Sequence, residues 1–405
     1  MLASLLHASH PHPHNQSQPT ANSRSHLQTP VKDAIDVTLT PVRELVPPDH
    51  PATTMDAFLA EVRMLFEAPL HAGLLHDMSR QLQQEFGSKL KASNICMLPS
   101  FHHTLPTGHE QGTILALDVG GSTFRIALIE LTGRETNAFA KGPHLNCTST
   151  AKDGMEIKRL RSFAIDKSVR ALRGPHFFDW MASRIEDVLE ADNHAAHRSS
   201  STPLPMSLAW SFPIEQTSTH TGSLLPMGKG FFATDGVEGH DICDLVHTAC
   251  RRRHLNVELQ GIVNDASATL LSQAYRDPST RISLIMGTGI NSAVYLPLSS
   301  LGIEKFGRRE QSWWDEASHV LVNTELSMFG KDVWDSTRWD HQLNRTHPLP
   351  DFQPLEYKTS GRFLGELVRL VVVEAVQVGV LFQGRMPRGL DSYELDSGLV
   401  GVFEG

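Results

Sequence analysis

The sequence has no excess of positive charge: Lys and Arg number 36 against 45 Asp and Glu, for a formal net charge of −9. Nucleic acids and anionic membranes are held by basic surfaces that displace counterions, so neither is expected as a partner. Long apolar runs are missing too. The stretch from Leu367 to Phe382 is broken by Arg369, Glu374 and Gln377, and no segment reads as membrane-spanning. The start carries Leu2 to Leu6 and then turns to His, Pro, Ser and Gln, without the hydrophobic stretch of a secretory signal. Cysteine is scarce. Cys96, Cys147, Cys243 and Cys250 are scattered with no Cys-x-x-Cys pair, which argues against a zinc ribbon or disulfide framework and for a reducing compartment. A cytoplasmic protein is expected, and small neutral or metal-chelated ligands are the class left open.

What is present is ordinary globular material. The 405 residues are 40% hydrophobic and 20% charged, enough for two domains, each with a sizeable core. Residues 1 to about 50 are polar, rich in Pro and Ser and nearly free of aromatics, and predict a disordered tail. Its His7, His10, His12 and His14 have no other ligand types beside them, so no metal site is assigned there. Phe58, Val62, Leu65 and Phe66 then recur at helical spacing, and a second helical pattern runs around Met78 to Phe86.

Strand Thr113 to Val119 meets Gly120-Gly121-Ser122-Thr123 and a second apolar run, Phe124 to Leu131, which together predict a β-hairpin. Phe178, Met181, Ile185 and Val188 mark an amphipathic helix, and Leu204 to Phe212 returns as a strand. Strand Leu259 to Val263 runs into Asn264-Asp265-Ala266-Ser267 and a helical stretch, Leu270 to Tyr275. Its polar residues fall at a strand-to-helix junction, where ligands collect in open α/β sheets. Ile282 to Met286, Gly287-Thr288-Gly289 and Ile290 to Leu296 repeat the pattern of strand, glycine turn and strand. The alternation predicts an α/β fold with two related halves facing a shared phosphate site.

The hairpin at Asp118 to Arg125 has the parts of a nucleotide-phosphate grip. Gly120 and Gly121 let amides approach an anion, Ser122 and Thr123 add hydroxyls, and Asp118 can hold a hydrated Mg²⁺. It is neither a Walker A loop, since no Gly-Lys-Ser/Thr follows, nor a Rossmann fingerprint, since it leads to a strand. Asp265 at a strand end is a natural general base for a hydroxyl nucleophile. Taken singly, Glu325, Glu366 and Lys229 read as solvated surface charges; only the ordered set of motifs, through the resemblance that follows, implies that Glu325, Glu366, Asn264 and Asn291 orient an uncharged, polyhydroxylated ligand and that Lys229 donates to it or offsets phosphoryl charge.

From about residue 55 to 405 the chain resembles the hexokinase family. Leu105-Pro106-Thr107-Gly108 ahead of Leu117 to Arg125 is similar to the family's first phosphate motif, with Asp118, Gly120, Gly121, Ser122, Thr123 and Arg125 as its ATP-binding residues. Ser211-Phe212-Pro213 resembles the sugar-binding loop, as do Gly228-Lys229-Gly230-Phe231 and Val237 to Asp241. Asn264-Asp265 matches the catalytic pair, Gly287-Thr288-Gly289-Ile290-Asn291 the second phosphate motif, and Asn323-Thr324-Glu325 and Gly365-Glu366 the sugar-contacting glutamates. The resemblance implies an actin-like ATPase (ribonuclease H-like) fold with two domains flanking a cleft. It places a helical segment of the large domain at 51–111, the small domain at 112–263 and the rest of the large domain at 264–405. It implies an ATP- and Mg²⁺-dependent kinase acting on the 6-hydroxyl of glucose or a related hexose and feeding glycolysis, with no dedicated protein metal site.

Three segments depart from the family pattern. Phe212 stands where Tyr is usual, Gly228 where Thr is usual, and Ala266-Ser267-Ala268 where Thr-Thr-Gly is usual. They point to a divergent branch, with the fungal N-acetylglucosamine kinases of this family as an alternative. Leu390 to Gly405 falls where the family continues into an adenosine-binding segment, so weak nucleotide binding and a noncatalytic sugar sensor or regulator are further expectations. Oligomeric state and sugar preference are not readable from the residues.

Overall fold

The computed structural model describes residues 54–134, 154–190, 202–228, 230–395 and 397–398. The expected tail, its histidines, Cys147 and Lys229 lie outside the described residues.

The chain opens with helices α1 (Met55–Glu67) and α2 (Ala72–Ala92), followed by a short strand β1 (Leu98–Pro99). Strands β2 (Gln111–Val119) and β3 (Thr123–Thr132) form the expected hairpin, paired from Gln111 with Thr132 down to Val119 with Phe124. Its turn is closed by the Gly120 amide donating to the Thr123 carbonyl at 3.0 Å. Leu115 to Val119 are all buried, as in a strand covered on both faces. Strand β4 (Met155–Ala164) pairs antiparallel with β3 at the sheet edge. Lys158, Arg159 and Arg161 leave it no apolar run to read from sequence, and charge on an edge discourages unwanted pairing.

On the other side of β2, β5 (Leu204–Trp210) and then β6 (Val257–Val263) join in parallel, giving the order β4-β3-β2-β5-β6. Parallel neighbours need crossovers, and helices α3 (Pro175–Glu190) and α4 (Ile242–Arg252) supply them. Their buried Phe178, Met181, Ile185, Val246 and Cys250 pack with Leu115, Leu117, Leu208 and Ile262 in one core. The helical spacing read from Phe178 to Val188 therefore faces this sheet.

Helix α5 (Asp265–Arg276) leaves β6 and lies on a second sheet. That sheet runs β1-β9-β8-β7, where β7 is Ile282–Met286, β8 is Ile290–Pro297 and β9 is His319–Asn323. Alternation along β9 assigns its faces: Leu321 packs with Ala266, Leu270 and Ala274 of α5, while Val320 and Val322 pack with Cys96, Met97, Phe306 and Phe329. Phe86 and Leu90 of α2 join the second cluster. Farther on, α6 (Arg338–Thr346), α7 (Pro354–Thr359) and α8 (Gly361–Gln377) enclose a core of Trp339, Tyr357, Phe363 and Leu367 with Phe58 of α1.

Helix α5 is fastened to both sheets. At its start Ser283 of β7 donates to the Ala266 carbonyl, and at its end the Tyr275 hydroxyl meets the Gly133 amide and the Glu110 and Gly154 carbonyls of the first sheet. No helix among the described residues is long and apolar enough to cross a membrane.

Candidate active site

Three parallel strands end side by side, and each is followed by a polar segment. Val119 pairs with Trp210, and Ala209 with both Asp118 and Val263, so Gly120-Gly121, Ser211-Phe212-Pro213 and Asn264-Asp265 all leave the same edge. Asp118 and Val263 stand about 10 Å apart across two strand spacings. The Ser211 amide donates to the Val119 carbonyl at 3.2 Å, tying the second segment to the first. Phe212 is buried against Trp210 and Phe231, with ring centroids 5.2 and 4.9 Å away, so an aromatic cluster anchors the loop.

Asn264 caps α5, its Oδ1 accepting the Ser267 amide at 2.8 Å, and its Nδ2 reaches Asp265 Oδ1 at 3.3 Å. Asp265 Oδ1 also accepts the Ala266 amide at 2.8 Å. A helix N-terminus favours negative charge, which suits a half-buried carboxylate here. Asp118 is 4% exposed, and its Oδ2 accepts from Arg125 at 3.0 Å across the hairpin. Burial pushes the Asp118 carboxyl above its ordinary range; the Arg125 guanidinium opposes this and the Asp265 charge adds to it.

On the second sheet, side chains at the start of β8 and the end of β9 interlock. Asn291 Nδ2 donates to Asn323 Oδ1 at 3.0 Å, and Asn323 Nδ2 donates to Glu325 Oε1 at 2.7 Å. Asn291 Oδ1 accepts the amides of Ser292 at 2.7 Å and Leu326 at 3.2 Å. Glu325 has a left-handed backbone, φ +52°, which costs a non-glycine residue about 1–3 kcal/mol and persists where the surroundings over-determine it. Gly287-Thr288-Gly289 turns between β7 and β8, with the carbonyls of Gly287 and Thr288 accepting the amides of Gly361 at 2.7 Å and Arg362 at 3.2 Å from the start of α8.

Glu366, expected beside Glu325, lies in a different setting. It is 5% exposed, and its two oxygens accept from Arg369 at 2.6 and 2.8 Å and from the Tyr393 amide at 2.7 Å. These bonds clamp α8 to the segment at Tyr393, and none of them joins Glu366 to the Asn291–Asn323–Glu325 network. Glu356, on α7, reaches the site instead: its Oε2 accepts the Ile290 amide at 3.1 Å, and a Cβ on Gly289 would stand 2.9 Å from the same oxygen. Asn323 also escaped the sequence reading of individual roles, although it opens the Asn-Thr-Glu triplet. Asp241, within the resembling Val237 to Asp241 segment, is the cap of α4, accepting the amides of Cys243 at 2.8 Å and Asp244 at 3.3 Å.

Two family models, both described as hexokinase, match residues 62–275 and 281–404. The chain belongs to the hexokinase family. A hexokinase from Schistosoma mansoni is 32% identical over 302 residues, 74% of this chain and 60% of that protein. Hexokinase-1 of Saccharomyces cerevisiae is 31% identical over 303 residues, covering 73% of this chain and 57% of its own. A solved structure of the Schistosoma mansoni hexokinase complexed with glucose matches with a TM-score of 0.64 at 28% identity, over 84% of this chain and 72% of that one. The fold is accordingly the actin-like ATPase fold of these sugar kinases. This hexokinase-family chain spans 60% or less of the length of the curated relatives named here.

Proposed function

We propose that the chain is an ATP-dependent hexose kinase transferring a phosphoryl group to the 6-hydroxyl of glucose or a related hexose. The observation that carries this reading is the position of Asp265. It stands at a strand end and helix N-terminus, at the same sheet edge as the glycine hairpin with Asp118, and is joined through α5 to the sheet that presents Asn291 and Glu325. The sugar oxygen forms a bond to the γ-phosphorus as the bond from that phosphorus to the ADP oxygen breaks. The hydroxyl proton passes to an Asp265 carboxylate oxygen.

Ser211, Lys229, Asn264, Asn291, Glu325 and Glu356 are the proposed sugar contacts, Glu356 taking the place first given to Glu366. The turns at Gly120 to Thr123 and Gly287 to Gly289 are read as the phosphate grips, with Arg125 holding Asp118 in place. We read 112–263 as the small domain and the remainder from 51 as the large one.

Mg²⁺, when bound with ATP, neutralises charge on the phosphate oxygens. The residues present fit it: Asp118 is a buried carboxylate beside the glycine turn whose Oδ2 pairs with Arg125 at 3.0 Å. Mg²⁺ is commonly held by one or two carboxylates plus phosphates and water. Among the described residues, no group of three or more His, Cys, Asp or Glu forms a cage for a metal.

A second reading has its own observation. A Cβ on Gly228 would meet nothing within 4 Å, so the place where Thr is usual is open. Gly228 is exposed and has a left-handed backbone, φ +64°, so the second reading, N-acetylglucosamine, rests on the absent Thr hydroxyl and not on a shaped pocket. The test is coupled ADP release with Mg-ATP and each sugar, with glucose binding measured alongside by calorimetry. Release with glucose, lost in Asp265→Asn, is expected. Release with N-acetylglucosamine alone selects the second reading, binding without release selects the sugar sensor, and neither binding nor release removes the proposal.

A further inference from the structure

Behind the site, three buried hydroxyls run in series across the second sheet. Ser283 Oγ of β7 donates to the Ala266 carbonyl in the first turn of α5 at 2.7 Å. Ser292 Oγ of β8 donates to the Ser283 carbonyl at 2.6 Å, and Thr324 Oγ1, just past β9, donates to the Ser292 carbonyl at 2.8 Å. The three residues are 8%, 4% and 4% exposed. Ala266 adjoins Asp265 and Thr324 adjoins Glu325, so the series begins and ends one residue from the proposed base and a proposed sugar ligand.

A buried hydroxyl bonded to a carbonyl adds little net stability over a well-packed apolar group, because both partners give up water to meet. The surroundings here are apolar, with Ala293, Leu321, Ala266 and Leu270 forming the adjoining core, so alanine would pack acceptably. What the hydroxyls add is direction, because each reaches from its own element to the next. Backbone pairing aligns β7, β8 and β9 but does not set the height of α5 over them. The Ser283 hydroxyl adds a directional bond to the apolar packing that seats α5, and the Thr324 hydroxyl doubles the bond that its own amide makes to the Ser292 carbonyl at 3.0 Å, just ahead of the left-handed backbone at Glu325.

We propose that Ser283, Ser292 and Thr324 are positioning residues that hold Asp265 and Glu325 in mutual register. This rests on the reading of Asp265 as base and Glu325 as sugar ligand. A hydroxyl lost at the α5 end changes proton transfer, and one lost at the Glu325 end changes sugar affinity.

The experiment measures turnover by ADP release and glucose affinity by calorimetry for the full chain, Ser283→Ala, Ser292→Ala, Thr324→Val and Thr324→Ser. Ser283→Ala is expected to lower kcat about tenfold with glucose affinity within about twofold; Thr324→Val should weaken glucose binding about tenfold, and Thr324→Ser should restore it. Ser292→Ala, in the middle, should move both. Unchanged kcat and affinity in variants with native near-ultraviolet dichroism overturn the proposal. So do equal losses in all variants that Thr324→Ser does not rescue, since those reflect general loosening. Asp265→Asn and Glu325→Ala run in parallel: if they have no effect the underlying reading fails, and if they act while the hydroxyl variants do not, the series fails alone. A parent that binds glucose without turnover lets the Thr324 pair decide by affinity.

Discussion

The two sides of the candidate site differ in the kind of polarity they carry. On the first sheet it is charge: Asp118 paired to Arg125 at the glycine hairpin, with Asp265 where β6 meets α5. On the second it is a lattice of amides around two glutamates, with Asn291, Asn323 and Glu325 bonded to one another and Glu356 on the Ile290 amide. Fixed charge near a developing charge serves phosphoryl transfer, whereas rigid amide donors and carboxylate acceptors select the orientation of a hydroxylated ligand. The difference suggests a partial division of labour, with the proposed base on the first side and the proposed sugar-holding glutamates on the second, while Ser211 and Asn264 on the first side and the Gly287 to Gly289 turn on the second are shared between the two tasks.

The sharpest challenge within the second side concerns two glutamates ten positions apart in sequence. Removing one member of a buried ion pair leaves the other uncompensated, so Glu366→Ala should cost about 3–5 kcal/mol in urea unfolding. Its effect on the glucose affinity of the folded fraction should stay within about threefold, because its oxygens are engaged by Arg369 and Tyr393. Glu356→Ala should do the reverse, weakening glucose binding by about 1–3 kcal/mol in calorimetry with a smaller loss of stability. Exchanged outcomes would return Glu366 to the sugar and break the comparison.

A smaller effect tests how the sides are joined. His102 spans them: its carbonyl accepts the Leu321 amide at 2.9 Å, and its Nε2 lies 3.4 Å from the Ile262 carbonyl. Burial holds its imidazole below the ordinary 6.5, outweighing the Ile262 carbonyl, which favours the charged ring. Below pH 6.5 the unfolded chain therefore takes up a proton that the folded chain resists, so this contribution to stability is present above 6.5 and declines as pH falls toward the lower folded value. Melting curves at about pH 7.5 and 5.5 should show a drop in Tm that His102→Phe reduces. An equal drop in the variant would assign the acid sensitivity to other groups.

The apolar strands and glycine turns were legible because their pattern is local: Thr113 to Leu131 and Ile282 to Leu296 appear within one or two residues of the observed hairpins. The α5 helix was expected from Leu270 onward, but its start at Asp265 depends on the Asn264 cap, a side-chain bond that periodicity does not register. Strand β4 was hidden because its exposed face is charged, and β1 is two residues long. At the site, Asn264-Asp265 and Asn323-Thr324-Glu325 were visible as motifs. Gly365-Glu366 stands in a recognisable run, while the contact that brings Glu356 to the Ile290 amide, 66 residues away in sequence, exists only once α7 folds against β8.

The division of labour is tested most directly by Asp265→Asn and Glu325→Ala, assayed side by side for turnover at saturating glucose and for glucose affinity. The account predicts crossed effects. Asp265→Asn should lower turnover by about 10²- to 10⁴-fold with affinity within a few-fold. Glu325→Ala should weaken affinity by about 1–3 kcal/mol while keeping most of the turnover at saturation. If both variants lost affinity and turnover in the same proportion, the two sides would act as one unit and the account would be contradicted.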